Sequence, residues 1–567
     1  MNAKMGLGQM ERVTTDVLVI GGGGAGARAA IEASDHGASV VMALKGQLGR
    51  SGATAYPVAE YAGFQASDGC DPLDSPEDHF RDIMEAAQGM CNPRLARIVA
   101  EESPGALRSL EAFGVPFLRD DRGRHVTGTA CFSTRSRSHR ILGHGEPIVA
   151  ALARQIKARP ICLEEETMAA SLLIQDGQCI GALAMNMAAR WVAHLAKATI
   201  LATGGAGQLF KTNLNPGDIT GDGYVMAYRA GADLVNMEFM QSGFAISRPL
   251  TLLGAWTWSC NPTFTNSAGE EFLPRYLPGG VTPSQVFEAK AGHYPFSSRD
   301  LSKYLEISVL KEMKQGRQVF FDLRNSERLE EMKRRPLYPW LAARGLDLAK
   351  EPAPIAIFAH AVNGGILINE QASSTVPGLF AAGEVAGGPH GADRLGGNML
   401  ATCQVFGARA GKYAALYAKE SDRPALRRDT LEGAESGFLA ARKSSGKKND
   451  RELKKEIQNL MFESLVIERS GAQLAMALRH LDVVDPCQTN LGAEGPSGAC
   501  EALEIRNLVE VAKIMARASI LREESRGSHY RTDFPEKNDE RWNRCIITRL
   551  ENGIMKQSLI TLGNQKD

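Results

Sequence analysis

The alternation of apolar, glycine-rich and alanine-rich stretches near the start of the chain predicts a strand, a tight turn and a helix. Residues 16–20 form an apolar run of strand length, residues 21–26 are all glycine except Ala25, and an alanine-rich stretch extends through Ala33. A second apolar run covers residues 39–44. This order is typical of the first βαβ unit of a parallel sheet, preceded here by a tail at residues 1–15.

Further along the chain, short apolar runs lie on either side of the turn Asp176-Gly177. They predict a hairpin that leads into a buried strand at residues 198–202. Residues 240–350 are richer in aromatic, proline and charged residues, and we expect an inserted domain there.

An α/β pattern returns at residues 354–358, and amphipathic helices are predicted from 430 to 525, after a basic segment at 442–448. We expect a first α/β part, an inserted capping domain, a second part of the same α/β domain and a helical C-terminal domain with a tail. The expected boundaries are 1–240, 241–350, 351–425 and 426–567.

The overall charge excludes some classes of partner. Sixty-five basic and sixty-five acidic residues give a formal net charge of zero, which argues against nucleic acid or an anionic membrane surface as the main partner. No apolar run reaches the roughly 18 residues that cross a bilayer, and no signal peptide is evident. We expect a cytoplasmic or cytoplasm-facing protein without direct membrane insertion.

The ten cysteines are scattered and include no Cys-x-x-Cys pair. The sequence therefore predicts neither an iron–sulfur cluster nor a zinc knuckle, and no metal site is expected. If electrons arrive one at a time, another chain must carry the redox centres.

A dinucleotide site is predicted at the first turn, where Gly21, Gly23 and Gly26 form Gly-x-Gly-x-x-Gly between a strand and a helix. Such glycines permit a tight turn and a close approach of pyrophosphate to the helix N-terminus. The acidic residue usual at the end of the second strand is missing, because Leu44 and Lys45 stand there. Ribose recognition must come from elsewhere.

Three more segments are candidates for cofactor binding: a glycine cluster at 202–207, Gly221-Asp222-Gly223 before a helix, and an apolar run at 377–384 that ends in Gly-Glu. Cofactor contacts distributed over separate segments favour a flavin-binding fold over a nicotinamide dehydrogenase domain.

With residues 390–400, His-Gly-Ala-Asp-Arg-Leu-Gly-Gly-Asn-Met-Leu, the chain resembles the fumarate reductase and succinate dehydrogenase flavoprotein subunits. Their motif is His-Gly-Ala-Asn-Arg-Leu-Gly-Gly-Asn-Ser-Leu. Residues 523–531 are similar to the family's Glu-Ser-Arg-Gly-x-His-x-Arg signature, so the resemblance covers nearly the whole chain. The group includes L-aspartate oxidase, and adenylylsulfate reductase flavoproteins are more distant members.

The resemblance implies an α/β fold: a discontinuous Rossmann-like FAD-binding domain, an inserted α+β capping domain and a C-terminal helical domain. It implies three catalytic residues. Arg394 binds a substrate carboxylate with a two-pronged guanidinium, His360 touches the same carboxylate, and Arg299 of Arg299-Asp300 donates the proton. The implied FAD contacts are Gly21, Gly23, Gly24, Ala25, Gly26, Lys45, Ser51, Gly52, Ala53, Thr54, Thr203, Gly204, Gly205, Asp222, Gly383, Glu384, Arg394, Asn398, Met399 and Leu400.

Two departures from the family pattern modify this expectation. The stretch that corresponds to the family's Gln-Phe-His-Pro-Thr, residues 238–245, reads Glu-Phe-Met-Gln-Ser-Gly-Phe-Ala, so the histidine that meets a second carboxylate is absent. Trp256 and Trp258 stand downstream where small polar residues are expected, and either could face an apolar substituent or pack the inserted domain. Residues 50–54 lack the histidine that holds FAD covalently in membrane-bound relatives, so FAD is expected to be non-covalent.

The function that follows is hydride transfer between flavin N5 and a small unsaturated or saturated carboxylic acid, with a modest preference for the reducing direction. The chain would be the flavin-carrying member of an electron-transfer complex, with an iron–sulfur or other electron carrier as partner. A larger or monocarboxylic enoate fits better than fumarate. An L-aspartate-oxidase-like enzyme, an adenylylsulfate-reductase-like enzyme and a non-catalytic electron-transfer subunit stay open as alternatives.

Overall fold

The computed structural model describes residues 10–434 apart from 187 and 189, residues 450–484 and residues 495–563. The basic segment 442–448 lies outside these residues. The strands are β1 Glu11–Ile20, β2 Val40–Ala43, β3 Tyr61–Gln65, β4 Thr127–Gly128, β5 Ser138–Leu142, β6 Ile161–Glu164, β7 Thr167–Gln175, β8 Gln178–Asn186, β9 Trp191–Leu201, β10 Leu234–Val235, β11 Met240–Ser247, β12 Leu250–Leu252, β13 Thr263–Asn266, β14 Val319–Asp322, β15 Ala353–Val362, β16 Gly365–Leu367, β17 Leu379–Ala381, β18 Ala386–Gly387, β19 Glu468–Arg469, β20 Tyr530–Arg531, β21 Cys545–Glu551 and β22 Ile554–Ile560.

The helices pack around these strands. They are α1 Gly24–Asp35, α2 Pro76–Ala87, α3 Pro93–Ala112, α4 Glu146–Lys157, α5 Asp222–Arg229, α6 Pro283–Lys290, α7 Lys303–Lys314, α8 Leu329–Lys333, α9 Leu337–Ala342, α10 Asn398–Glu420, α11 Asp450–Leu465, α12 Gly471–Val483, α13 Gly495–Leu521 and α14 Asp539–Trp542.

The main sheet has seven strands in the order β6-β2-β1-β9-β8-β7, with β17 also paired to β9. Strands β6, β2, β1, β9 and β17 run parallel, and β7, β8 and β9 form antiparallel pairs. Residues 17–20 are almost fully buried, as expected for a parallel strand covered on both faces. The predicted βαβ unit and hairpin are confirmed, and so is the α/β fold class.

Strand β1 begins at Glu11 rather than at residue 16, so part of the predicted tail is wrong. The register explains the extension, because Glu11 pairs with Val192 at the start of the long strand β9. Polar residues at 11–16 are accommodated because this end of the strand is mostly exposed.

The inserted region contains β11 to β14 and helices α6 to α9. Its antiparallel sheet, in the order β12-β11-β15-β14-β13, includes β15, which begins after the expected end of the region at residue 350. Its core is aromatic: Trp258 is fully buried against Phe244, Phe264 and Phe321. A third sheet, β18-β16-β10-β21-β22, draws two strands from the C-terminal part of the chain, where the sequence pattern predicted helices and a tail. Strands β3, β5 and β4 form a small separate sheet.

Among the described residues, no helix combines the length and the hydropathy needed to span a bilayer.

Candidate active site

One continuous cavity of about 640 Å³ runs from the first glycine-rich turn to the inserted region. Its walls come from the turn after β1, the loop after β2, the start of α5, the small β3-β5-β4 sheet, the inserted region and the N-terminus of α10. Elements far apart in sequence therefore meet around one elongated space.

The glycine-rich turn forms one wall of the cavity, and two of its glycines have no room for a side chain. Gly21 has φ = 107°, a left-handed conformation that favours glycine, and a Cβ atom at this position would overlap the Ala202 carbonyl oxygen. A Cβ atom on Gly26 would overlap the Gly21 carbonyl oxygen, so helix α1 can approach the turn only with glycine there. Gly24 and Ala25 at the start of α1 line the cavity, although the Gly24 N–H also donates to Thr54 Oγ1 at 3.3 Å, and a helix N-terminus at this place is suited to a pyrophosphate.

Lys45 takes the place of the usual ribose-binding acid and is held by an ionic network. Its Nζ donates to Thr220 Oγ1 at 2.7 Å and to Asp222 Oδ2 at 2.8 Å, and it lies 2.9 Å from Glu504 Oε1. Although burial opposes it, the pKa of Lys45 is raised by the charges of Asp222 and Glu504. Asp222 itself lines the cavity, so it supplies a carboxylate that the second strand lacks.

Most residues predicted to bind FAD line this cavity. The exceptions are Gly26, Gly205 and Asn398. Gly26 acts through helix packing, and a Cβ atom on Gly205 would overlap Glu384. Asn398 lies behind the cavity wall, where its Oδ1 is 3.0 Å from His79 Nε2.

At the other end of the cavity, Arg394 presents a buried guanidinium. Its Nε donates to Gln241 Oε1 at 3.2 Å and its Nη1 donates to the Leu395 carbonyl oxygen at 2.9 Å, which fixes the plane of the group. Burial lowers the pKa of Arg394, and the nearby Glu384 opposes that shift. A group with so high an intrinsic pKa keeps its charge, so this end of the cavity attracts an anion.

His360 and Glu384 line the cavity near Arg394. Burial, then the charge of Arg394, lowers the pKa of His360 to about 3, so the imidazole is neutral at physiological pH. Its Nδ1 is buried and has no hydrogen-bond partner. Burial raises the pKa of Glu384 to about 7, although its Oε1 accepts a hydrogen bond from the Val362 N–H at 3.0 Å. An unpaired imidazole nitrogen beside a buried cation is suited to bind a carboxylate.

Arg299 does not line the cavity. Its Nη2 donates to Asp393 Oδ2 at 3.0 Å and to the Ala86 carbonyl oxygen at 3.1 Å, and its guanidinium lies 4.6 Å from the Phe132 ring centroid. The structure thus brings His360 and Arg394 together at the cavity and places the third predicted catalytic residue behind its wall.

The stretch without the family histidine is filled by an aromatic ring. A Cβ atom on Gly243 would lie 2.8 Å from Tyr294 Cζ, so the Tyr294 ring occupies the space that a side chain at 243 would need. Tyr294 lines the cavity, packs edge-on to His360 with ring centroids 5.8 Å apart, and has a buried hydroxyl without a partner. Burial raises the pKa of Tyr294 well above its usual value, so the hydroxyl keeps its proton.

The two tryptophans have different roles. Trp256 lines the cavity with the Arg335 guanidinium 4.1 Å from its ring centroid, whereas Trp258 belongs to the aromatic core of the inserted region. The sequence left open whether each tryptophan contacts a ligand or packs the inserted domain. The position of Trp256 is consistent with ligand contact, and that of Trp258 with packing.

Sequence reasoning missed several residues of the cavity wall, namely Tyr61, Cys131, Arg140, His144, Tyr294 and Arg335. For Arg140 a signal exists in strand β5, where residues 138 and 140 line the cavity and residue 139 is buried on the opposite face. Tyr294 and Arg335 lie in loops and short helices of the inserted region, where no periodicity marks an inward-facing side.

The shape and chemistry of the cavity define a class of protein. The cavity has a glycine-rich turn that accepts a pyrophosphate, a carboxylate at Asp222 and, 150 or more residues away in sequence, a cationic anion-binding site. This combination fits the dinucleotide FAD with a small acid bound beside it. These are the features of an FAD-dependent oxidoreductase.

The chain belongs to the fumarate reductase and succinate dehydrogenase flavoprotein family. Residues 16–252 and 266–400 match the FAD binding domain, and residues 454–559 match the fumarate reductase flavoprotein C-terminal domain. The cofactor is FAD, and the chain is an oxidoreductase of the fumarate reductase type, as the sequence predicted.

Similar proteins cover almost the full length of the chain. One subunit of the CoM/CoB fumarate reductase from Methanothermobacter marburgensis is 36% identical over 95% of this chain and 98% of its own. L-aspartate oxidase from Synechocystis is 30% identical over 94% and 96%. Among solved structures, Sdh1 from Mycobacterium smegmatis superposes with a TM-score of 0.84 at 29% identity, over 98% of this chain and 95% of that one.

Proposed function

We propose that this flavoprotein reduces the carbon–carbon double bond of an unsaturated carboxylic acid that carries one carboxylate at Arg394 and a larger or uncharged substituent in place of the second carboxylate of fumarate. The observation that carries the proposal is the Tyr294 ring in the space beside Gly243. FAD, when bound, supplies the hydride to one alkene carbon, and a proton reaches the other carbon.

The first carboxylate has a site built for it. Arg394 is a buried cation whose plane is fixed by Gln241 and by a backbone carbonyl, and a rigid guanidinium suits two-pronged binding of a carboxylate. His360 adds a neutral imidazole with a free buried nitrogen. Holding one carboxylate here orients the adjacent double bond and withdraws electron density from it.

The second end of the substrate meets a different surface from the one a dicarboxylate needs. When Gln241 is aligned with the glutamine of Gln-Phe-His, Gly243 stands at the histidine position. Tyr294 offers a protonated hydroxyl and Trp256 an aromatic face. Loss of a charge-assisted contact costs a dianion about 1.5–3 kcal/mol, or roughly a tenfold to hundredfold loss of affinity.

Arg299 is the proposed proton donor, and Asp393 is its proposed proton relay. The pair is joined by a 3.0 Å hydrogen bond, and Ser297 Oγ also donates to Asp393 Oδ2 at 2.8 Å. Arg299 lies against Phe132 and does not line the cavity, so the role requires the guanidinium to move toward the cavity. Tyr294 is the second proposed proton source, since the residue lines the cavity and its buried hydroxyl has no hydrogen-bond partner.

The electrons for reduction are proposed to come from a partner protein with iron–sulfur or other one-electron centres. The sequence contains no Cys-x-x-Cys pair to hold a cluster of its own. The similar protein from Methanothermobacter marburgensis is itself one subunit of a fumarate reductase, which supports a place for this chain in a larger complex.

The reaction is tested by reducing the purified protein anaerobically and adding single unsaturated acids while flavin absorbance is followed. We expect reoxidation accompanied by the saturated acid, identified by mass spectrometry. The Arg394→Lys variant should lose this reaction at low acid concentration, whereas the surface control Arg427→Lys, whose partner is Asp176, should keep it. Reoxidation by none of the acids, or reduction of the oxidised flavin by L-aspartate, would overturn the proposal.

A further inference from the structure

Four side chains with metal-binding atoms meet on the small β3-β5-β4 sheet, on its face away from the cavity. Asp68 and Cys70 follow β3, His125 precedes β4 and His139 lies in β5. One ligand atom from each of these residues lies within 4.8 Å of every other. No part of the flavin site described above uses them.

The separations are within about 0.3 Å of the edges of a small coordination tetrahedron. Asp68 Oδ2 lies 3.3 Å from Cys70 Sγ, 3.2 Å from His125 Nδ1 and 3.0 Å from His139 Nε2. Cys70 Sγ lies 3.7 Å from His125 Nδ1. Tetrahedral Zn²⁺ with bonds of about 2.0–2.3 Å has ligand–ligand edges of about 3.3–3.8 Å.

In both imidazoles, the nitrogen that faces away from the cluster lies close to an oxygen acceptor. Metal-binding histidines are oriented in the same way. His125 Nε2 lies 2.7 Å from Glu111 Oε1, which leaves Nδ1 facing the cluster. His139 Nδ1 lies 3.0 Å from the Arg137 carbonyl oxygen, which leaves Nε2 facing it. His139 is fully buried, and its Nε2 faces the Asp68 carboxylate at 3.0 Å.

We propose that Asp68, Cys70, His125 and His139 bind one structural Zn²⁺ ion. Two imidazoles, a thiolate and a carboxylate are a ligand set that favours zinc over the oxygen-preferring Mg²⁺ and Ca²⁺. With four protein ligands no coordination position stays open for a substrate, so the ion holds structure together rather than catalyses.

The ion would stabilise one wall of the flavin cavity. In β5, His139 faces the cluster while its neighbours Ser138 and Arg140 line the cavity. His139 pairs with Phe64 of β3 and Thr127 of β4, so one ion would tie β5 to the segment after β3 and to the segment before β4. Loss of the metal should therefore loosen this wall before it unfolds the parallel sheet.

The test is the zinc content of the FAD-loaded protein, purified without chelator and without a histidine tag, by inductively coupled plasma mass spectrometry. We expect about one zinc per FAD. Cys70→Ser and His125→Gln should lose most of the zinc while keeping FAD. Cys162→Ser is the matched control, since Cys162 is also an exposed cysteine but lies outside the cluster.

A second measurement uses only the wild-type protein, so it does not depend on whether the variants fold. Wild-type protein stripped of zinc and loaded with Co²⁺ should show the strong red ligand-field absorption of tetrahedral cobalt, at longer wavelength than oxidised flavin, and Zn²⁺ should abolish it. The proposal is overturned if FAD-loaded wild type from zinc-supplemented cells contains no zinc and gives no such spectrum. It is equally overturned if Cys70→Ser and His125→Gln hold as much zinc as Cys162→Ser.

Discussion

Tyr294 offers the sharpest test of the rebuilt end of the cavity. Its ring packs against Gly243 and His360, its N–H donates to Cys131 Sγ at 2.9 Å, and its hydroxyl is buried without a hydrogen-bond partner. Tyr294→Phe removes only the hydroxyl and leaves the ring, so the packing is retained.

The change should act in opposite directions on stability and on catalysis. A buried hydroxyl without a partner costs about 1–3 kcal/mol, so removing it should leave the free energy of unfolding unchanged or higher. If the hydroxyl donates to an uncharged oxygen of the substrate, its loss removes about 0.5–1.5 kcal/mol of binding in the complex, or roughly a 2- to 10-fold decrease in kcat/KM.

The assay is reoxidation of the reduced flavin by the best unsaturated acid, with thermal unfolding measured on the same preparation. Tyr338→Phe is the matched control, because the Tyr338 hydroxyl donates to Asp347 and does not line the cavity. This control should lower stability and leave kcat/KM unchanged. An unchanged kcat/KM in Tyr294→Phe would refute the role given to the hydroxyl.

The remaining predictions concern the attachment of FAD, the roles of two arginines and the titration of Glu384. Acid precipitation should release all FAD into the supernatant, because Gly52 and its neighbours offer no histidine for a covalent bond, and yellow pellets would contradict this. Arg394→Lys should raise KM about 10- to 100-fold by losing the two-pronged contact, whereas Arg299→Lys should mainly lower kcat. Steady-state kinetics separates the two, and loss of binding at normal turnover in Arg299→Lys would contradict the assignment. Because burial raises the pKa of Glu384 from 4.5 to about 7, FAD-depleted wild type should lose stability as pH rises through that interval. The loss relative to Glu384→Gln should approach about 3 kcal/mol, and parallel unfolding curves of the two proteins from pH 4.5 to 8 would contradict it.

The nucleotide end of the site was predictable because its physics is local. A strand, a run of glycines and an alanine-rich helix adjoin in sequence, and Gly26 is required by its contact with the Gly21 backbone in that same unit, although the contact that requires Gly21 is with Ala202 after β9. The α/β class and the hairpin follow from apolar periodicity in the same way.

The substrate end was only partly predictable. Arg394 and His360 stand in recognisable motifs, but Tyr294 lies in an irregular loop, and only the fold brings its ring beside Gly243. The cluster of Asp68, Cys70, His125 and His139 was missed for the same reason, since its members come from separate segments that the β3-β5-β4 sheet brings together. Strand β21 was missed because it pairs with the very short β10, over 300 residues earlier, and β22 joins the sheet only through β21.

The central claim is that one carboxylate site is kept and the other is rebuilt, and one ratio tests it. The second-order rate constants for flavin reoxidation by a bulky monocarboxylic enoate and by fumarate are measured on the same reduced protein at one pH. The rebuilt pocket predicts a ratio of roughly ten or more in favour of the monocarboxylate. A ratio below one would show that a second carboxylate site exists after all and would contradict the account.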